Sequence, residues 1–302
     1  MNSYKGIVYA ILSSAAFGLL PIFASVSYNN GSNPTTVLIF RFLLSALILF
    51  IYLFYKKVKI TLESKQLLLL LLIGIIGYTV ITQALFISYK YLGGGLATTL
   101  HFIYPTAVCI FGFIFFKEKI SKKKVLSLLL SGIGVYSLIA FENQTLNAFG
   151  IFLALFSGVA YAGNVIILGL DCIKSIDNKI STMYMCIGAT LGMTVYGLFT
   201  KSIVLEFNSK IIGSYLGISI ISTIISVILF LKAIELIGTS STSILGTFEP
   251  IVSIILGVIF LSEKLSIELL MGTALILAAT IILSKDTETV SKEVISKEPV
   301  SQ

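Results

Sequence analysis

Ten apolar runs of about twenty residues follow one another along the chain, at 6–27, 34–55, 66–89, 93–116, 124–140, 148–170, 180–200, 211–233, 238–261 and 266–284. At about 1.5 Å of rise per residue, a helix of that length crosses a hydrocarbon layer about 30 Å thick. No water reaches backbone N–H and C=O groups there, so each run must satisfy its own peptide groups as a helix. The sequence therefore predicts an all-α integral membrane protein. Composition agrees: 57% of the 302 residues are hydrophobic, 12% are charged and the mean hydropathy is +1.02, against about a quarter charged in soluble domains.

A second constraint is an ungapped internal repeat. Gly93, Leu100, Pro105, Ile110, Gly112, Ile114, Phe115, Glu118, Lys119 and Ser121 recur as Gly238, Leu245, Pro250, Ile255, Gly257, Ile259, Phe260, Glu263, Lys264 and Ser266. Gly6, Ile7, Ala10, Ser13 and Ala16 likewise recur as Gly150, Ile151, Ala154, Ser157 and Ala160, so the first run is expected to be a retained helix and not a signal peptide. Five runs per copy is an odd number, so the second copy enters the membrane from the opposite side. The expected organisation is two inverted five-helix repeats, 1–145 and 146–284, followed by a disordered cytoplasmic tail at 285–302 whose Ser, Lys, Asp and Glu cannot bury a core. Inverted repeats are a common plan of secondary transporters, with the substrate near midplane where the copies meet.

The net charge of +7 does not point to nucleic acid, because the lysines lie in short clusters between apolar runs without interleaved aromatic residues. They report orientation. Lys56, Lys57, Lys59 and Lys65, then Lys117, Lys119, Lys122, Lys123 and Lys124, fall in loops on one side, while the other side holds only Lys90, Lys201, Lys210 and Lys264. The lysine-rich side is expected to be cytoplasmic, which places both termini inside. Cys109, Cys172 and Cys186 have no paired spacing, so neither a disulfide framework nor a metal site is expected. The sequence lacks a P-loop, HExxH and GxSxG, and it has no pair of mid-membrane aspartates. No enzyme and no cofactor are expected.

Few residues inside the runs can do chemistry. Glu249 is the one acid in the middle of any run, and such carboxylates are costly and mark ion or substrate paths, although a protonated Glu249 would serve as interhelical glue. The next residue, Pro250, lacks an N–H, which predicts a free carbonyl on Gly246. Arg41, the only arginine, offers a planar fork of donors to an anionic substrate group or to Glu249, or else snorkels to the interface. His101, the only histidine, suits a proton relay or a satisfied structural position. Tyr104 occupies in the first copy the place that Glu249 occupies in the second, so a shared cavity would have an aromatic wall and an acidic wall. That combination suits an amphiphilic solute carrying an amino group. Gln83, Tyr161, Asn164, Tyr184, Ser243 and Thr247 are further polar candidates for substrate contact or interhelical glue, and Pro21, Pro105 and Pro250 are candidate kinks. Gly188 with Gly192, and Gly74 with Gly77, read as close-packing sites, and Gly93 to Gly95 as a turn and not a phosphate cradle.

Taken together, Tyr104-Pro105 and its counterpart Thr247-Phe248-Glu249-Pro250, the Glu118-Lys119 and Glu263-Lys264 pairs, Phe40-Arg41-Phe42-Leu43 and the ten-helix repeat resemble the EamA family of the drug/metabolite transporter superfamily. The resemblance implies a secondary transporter of the bacterial inner membrane, often an exporter of amino acids or related metabolites. It also implies a central cavity lined by helices one, three, four, six, eight and nine, with five and ten outside. The expected function is export of a small organic metabolite by alternating access, with proton coupling through Glu249 or simple facilitated efflux as the driving force. Uptake of a scavenged metabolite uses the same architecture, and a non-transporting sensor or assembly protein is the reading from another class. The expected partners are the small-molecule substrate and the lipid bilayer, and a homodimer is left open.

Overall fold

The computed structural model describes residues 2–116, 122–140, 147–168, 170–246, 248–279 and 281–282, and every regular element among them is helical. The predicted tail at 285–302, the Glu142-Asn143-Gln144 turn and the Glu118-Lys119 pair lie outside the described residues. In the first copy, α1 (Asn2–Gly18) and α2 (Leu20–Tyr28) share one crossing. Then come α3 (Pro34–Tyr55), α4 (Ser64–Leu72), α5 (Thr79–Leu92), α6 (Gly94–His101), α7 (Tyr104–Phe116) and α8 (Lys122–Ala140). The second copy comprises α9 (Ala148–Leu168), the short α10 (Asp171–Lys174), α11 (Asn178–Phe199), α12 (Ser209–Ser219), α13 (Ser226–Leu245), α14 (Phe248–Leu261) and α15 (Ile267–Ala279). Six helical stretches among the described residues are long and apolar enough to cross a bilayer: 4–28, 34–55, 64–92, 148–168, 178–199 and 209–237.

Local chemistry sets many of the ends. Asn33 caps α3 by accepting from the Thr36 N–H at 2.9 Å, and Pro34, which has no donor to waste, opens the helix. Asn208 caps α12 in the same way through the Ile211 N–H. Gly93 turns the chain between α5 and α6 with a φ of 75°, in the left-handed region where a side chain would be strained.

The structure departs from the sequence reading in the fourth and ninth runs. The 93–116 run is two helices, broken between His101 and Tyr104. The 238–261 run is also divided, but not at its start: α13 continues through Gly238 to Leu245, and α14 begins at Phe248. Pro21, Pro105 and Pro250 explain the breaks, because each stands in the first turn of the helix after a break. There a missing N–H costs nothing, whereas in a continuous helix the ring would strike the carbonyl four residues earlier. The expected free carbonyl on Gly246 is not found: it accepts from the Glu249 N–H at 2.9 Å, closing a tight turn in place of the lost helical bond.

Two long crossings contain π-helical turns at matching places. Ile73–Tyr78 joins α4 to α5, and Ile220–Ile225 joins α12 to α13. The Thr79 hydroxyl donates to the Gly74 carbonyl at 3.3 Å and the Thr223 hydroxyl to the Ile218 carbonyl at 2.9 Å, each spanning five residues, which is the π period.

Packing between the copies has an exchange symmetry. Helix α1 packs on α13 as α9 packs on α5, and α3 packs on α11 along the axis of exchange. The first π-turn lies against α11 and the second against α3. Small residues permit these approaches. A Cβ on Gly188 would meet the Leu71 carbonyl and, at 3.1 Å, the Gly74 Cα. Hydroxyls complete the contact: Ser13 donates to the Ser226 carbonyl at 2.8 Å, and Ser222 donates to the Ala16 carbonyl at 2.7 Å. Gly188→Leu should therefore overpack the junction of α11 with α4 and the first π-turn and lower the thermal unfolding midpoint in detergent, at a cost of about 1–3 kcal/mol. Gly213→Ala, within α12 and with nothing inside 4 Å of the added Cβ, should not lower the midpoint.

Candidate functional site

A cavity of about 60 Å³ lies between the copies, large enough for several waters or part of a small solute. The first copy contributes Phe17 and Leu20 at the α1–α2 break, Arg41 from α3, Tyr78 from the π-turn, Thr82 and Phe86 from α5, and His101 at the end of α6. The second copy contributes Tyr161 and Asn164 from α9 and Glu249 from the first turn of α14. The breaks at Leu19, Phe102–Ile103 and Gly246 thus all open beside one space, because a helix end presents side chains and backbone that a continuous helix would hold along its length.

Arg41 does not snorkel. It is 2% exposed and points inward, with its Nε donating to Thr223 Oγ1 at 2.7 Å and its Nη2 donating to the Ser222 carbonyl at 3.4 Å. Its guanidinium carbon is 4.9 Å from the Phe42 ring centroid and 5.6 Å from that of Phe86. The second π-turn provides this seat: its Ser222 carbonyl accepts from the arginine, while Thr223 donates backward to Ile218 and accepts from the arginine. The repeat shift places Cys186 where Arg41 stands, and the surroundings repeat too: Ser45 donates to the Arg41 carbonyl at 2.6 Å and Thr190 to the Cys186 carbonyl at 2.8 Å. The two copies share the scaffold, and only one carries the cation.

Glu249 faces the same cavity from the opposite copy. Among the described residues, no side-chain hydrogen bond or ion pair engages its carboxylate, so it and Arg41 are not joined directly. Asn164 is 6% exposed and its Nδ2 has no partner, while Gly77 leaves the room that a Cβ would take 2.7 Å from that atom. The Ser157 hydroxyl donates to the Ala154 carbonyl at 2.7 Å, so toward His101 Nδ1, 2.8 Å away, it can only accept. The proton of the neutral ring is therefore on Nδ1, which leaves Nε2 as an acceptor.

Two predicted residues stand back from the cavity. Tyr104 lies behind its lining, with its ring 5.0 Å from Tyr161 and 6.2 Å from His101. Gln83 faces α3 instead, donating through Nε2 to Thr35 Oγ1 at 2.9 Å, and is not part of the cavity lining. Thr247 and the side chain of Ser243 lie outside the described residues. Sequence reasoning missed Tyr78, Thr82, Phe17 and Phe86. Tyr78 carried the only available signal, an aromatic hydroxyl one residue after Gly77 inside an apolar run. The second crossing lines the cavity through Arg41, and the eighth acts from behind it through Thr223.

The sequence profile of the EamA-like transporter family matches residues 4–140 and again residues 148–285. The chain belongs to the EamA-like transporter family. The family unit occurs twice, in agreement with the repeat. Among relatives, the uncharacterized transporter YvbV of Bacillus subtilis (strain 168) is 26% identical over 208 residues, covering 66% of this chain. The match takes in 65% of YvbV, just under two thirds of its length. The uncharacterized inner membrane transporter YicL of Salmonella typhimurium (strain LT2) is 24% identical over 301 residues, 95% of this chain and 97% of that protein. A solved crystal structure superposes with a TM-score of 0.68 at 12% identity, covering 95% of this chain and 99% of the other, which shows a shared fold.

Thr223→Val removes the acceptor for Arg41 Nε and leaves a charged donor buried without a partner. It should lower the thermal unfolding midpoint, at about 1–3 kcal/mol, whereas Thr223→Ser should behave as wild type. Equal midpoints for the Val and Ser variants would show that Thr223 does not hold the arginine.

Proposed function

We propose that this EamA-like transporter exports a small zwitterionic metabolite, an amino acid or a related amphiphile, across the plasma membrane. One observation carries the reading: Arg41 and Glu249 stand on walls of a single cavity contributed by different copies, with no direct ion pair between them. A solute with a carboxylate and an ammonium group satisfies both charges at once. Bidentate donation from the guanidinium suits the carboxylate, with the unpartnered Asn164 Nδ2 as an added donor, and Glu249 suits the ammonium. Tyr78, Tyr161, Phe17 and Phe86 give an apolar and aromatic surface for the remainder of the solute. Tyr104 supports Tyr161 and His101 from behind.

In this reading the ten crossings form two inverted five-helix units with both termini in the cytoplasm, and the units rock about the cavity with the breaks after Leu19, before Tyr104 and before Phe248 as joints. The supports are the repeat, the lysine asymmetry and the exchange symmetry of the packing. Glu249 gives proton coupling a site, since a carboxylate that must meet either a proton or an ammonium group can exchange one for the other.

Counterflow in proteoliposomes loaded with a mixture of amino acids and read by mass spectrometry tests the function. Wild-type protein should accumulate one or a few zwitterions, and Arg41→Gln should lower that flux about tenfold or more, equivalent to about 1.4 kcal/mol of recognition. Arg41→Lys should fail to restore it, because an ammonium group cannot hold Thr223 and Ser222 and still present a fork. Undiminished flux in both variants would overturn the reading. Glu249→Gln should abolish the response of flux to an imposed pH gradient, and a retained response would remove the proton from the mechanism.

A further inference from the structure

The Glu263 side chain leaves the second copy and ends in the first. Its carboxylate accepts from the Gly94 N–H at 2.7 Å and the Gly95 N–H at 3.2 Å, two amides that the first turn of α6 cannot satisfy internally. The charge lies at the positive end of that helix, and both bonds are charge-assisted. The glycines around it leave the necessary space: a Cβ on Gly93 would come within 2.9 Å of Oε1 and one on Gly95 within 3.2 Å of Oε2, and a Cβ on Gly257 would crowd the carboxylate. Backbone geometry aims the side chain. Ser262 takes a φ of 55°, a left-handed conformation unusual for a residue with a side chain, and the Glu263 N–H returns to the Gly257 carbonyl at 3.1 Å. The glycine turn is an anion cradle whose anion belongs to the same chain.

Its position gives this contact a consequence. Helix α6 starts at the cradle and ends at His101, while α14 starts beside Glu249 and ends just before Glu263, so both helices run between the cavity and this one end of the bundle. They pack along that length, with Ser253 Oγ donating to Thr98 Oγ1 at 3.3 Å and a Cβ on Gly95 calculated to lie 3.2 Å from Ile254. We propose that the Glu263 carboxylate on the Gly94 and Gly95 amides is a latch that pins α6 to α14 and closes this mouth of the cavity. The inference rests on the transport reading for its purpose, and its own content is the closed mouth. A carboxylate and two amides at the end of the bundle can exchange each other for water when the helices part, which a contact between apolar side chains in lipid cannot do. The repeat carries a matching acid, Glu118, which lies outside the described residues and has no part in the proposal.

Cysteine accessibility tests the latch without knowledge of the substrate. In full-length protein with the native cysteines replaced, Thr82→Cys reports from the cavity wall to a membrane-impermeant sulfonated maleimide, applied to intact cells and separately to inverted vesicles. Glu263→Gln should raise the labelling rate from one face by about fivefold or more, with no rise from the other face, as expected when one closed state loses its population. Gly257→Ala, which keeps the charge but crowds it out of the cradle, should give the same one-sided rise and serves as the second variant should the first fold poorly. Unchanged rates from both faces in these variants, or equal rises from both, would overturn the latch. Either result would leave the transport reading intact, since that depends on the counterflow of zwitterions.

Discussion

In a hydrocarbon layer every polar group has to be satisfied from within the chain, and the working parts of this protein are arranged around that constraint. A lone arginine placed there needs partners that an α-helix does not offer, because each carbonyl of a regular helix is already engaged by the N–H four residues on. The π-turn at Ile220–Ile225 supplies them. Its Ser222 carbonyl accepts from Arg41, and the Thr223 hydroxyl bonds backward to Ile218 while accepting from Arg41. The cation is fixed in place, and part of its donor fork remains for something else.

The same constraint explains why the chain breaks where it does. Helix interruptions in lipid are tolerated only where the freed groups find other partners or line a cavity. The breaks before Leu20, Tyr104 and Phe248 all lie beside the cavity, and the one at Gly246 is closed by the Glu249 N–H. At the end of the bundle the first amides of α6 are satisfied by a carboxylate from the other copy. Of the buried polar atoms left without a protein partner, the Nδ2 of Asn164 borders the cavity and is a place where a ligand or water would be held.

Duplication gives the protein a scaffold that works twice and a site that is single. The hydroxyls of Ser45 and Thr190 make the same bond in both copies, and the π-turns sit at matching heights. Yet Arg41 is matched by Cys186, and Glu249 by Tyr104. An approximate two-fold arrangement therefore encloses a cavity with a cation and an acid from different copies, a polarity that two identical halves could not create.

The sequence alone determined the helical class, the repeat, the membrane setting and the two charges most costly to bury, because run length, hydropathy and residue type are local properties. It also marked Pro21, Pro105 and Pro250 as candidate kinks, since a missing N–H acts wherever the chain folds. Only the tertiary structure decided which polar residues share a space. Gln83 turns to Thr35 while Thr82, one residue earlier, enters the cavity, a difference of one helical position that spacing within an all-apolar run cannot resolve. The π-turns were likewise hidden, because one extra residue in a helical turn is set by how α5 and α13 meet the other copy and leaves no mark on composition. By sequence Gly93 to Gly95 is a simple turn, and in the fold the carboxylate of Glu263, far along the chain, rests on the Gly94 and Gly95 amides. That meeting joins two ends of different helices, and only packing brings them together.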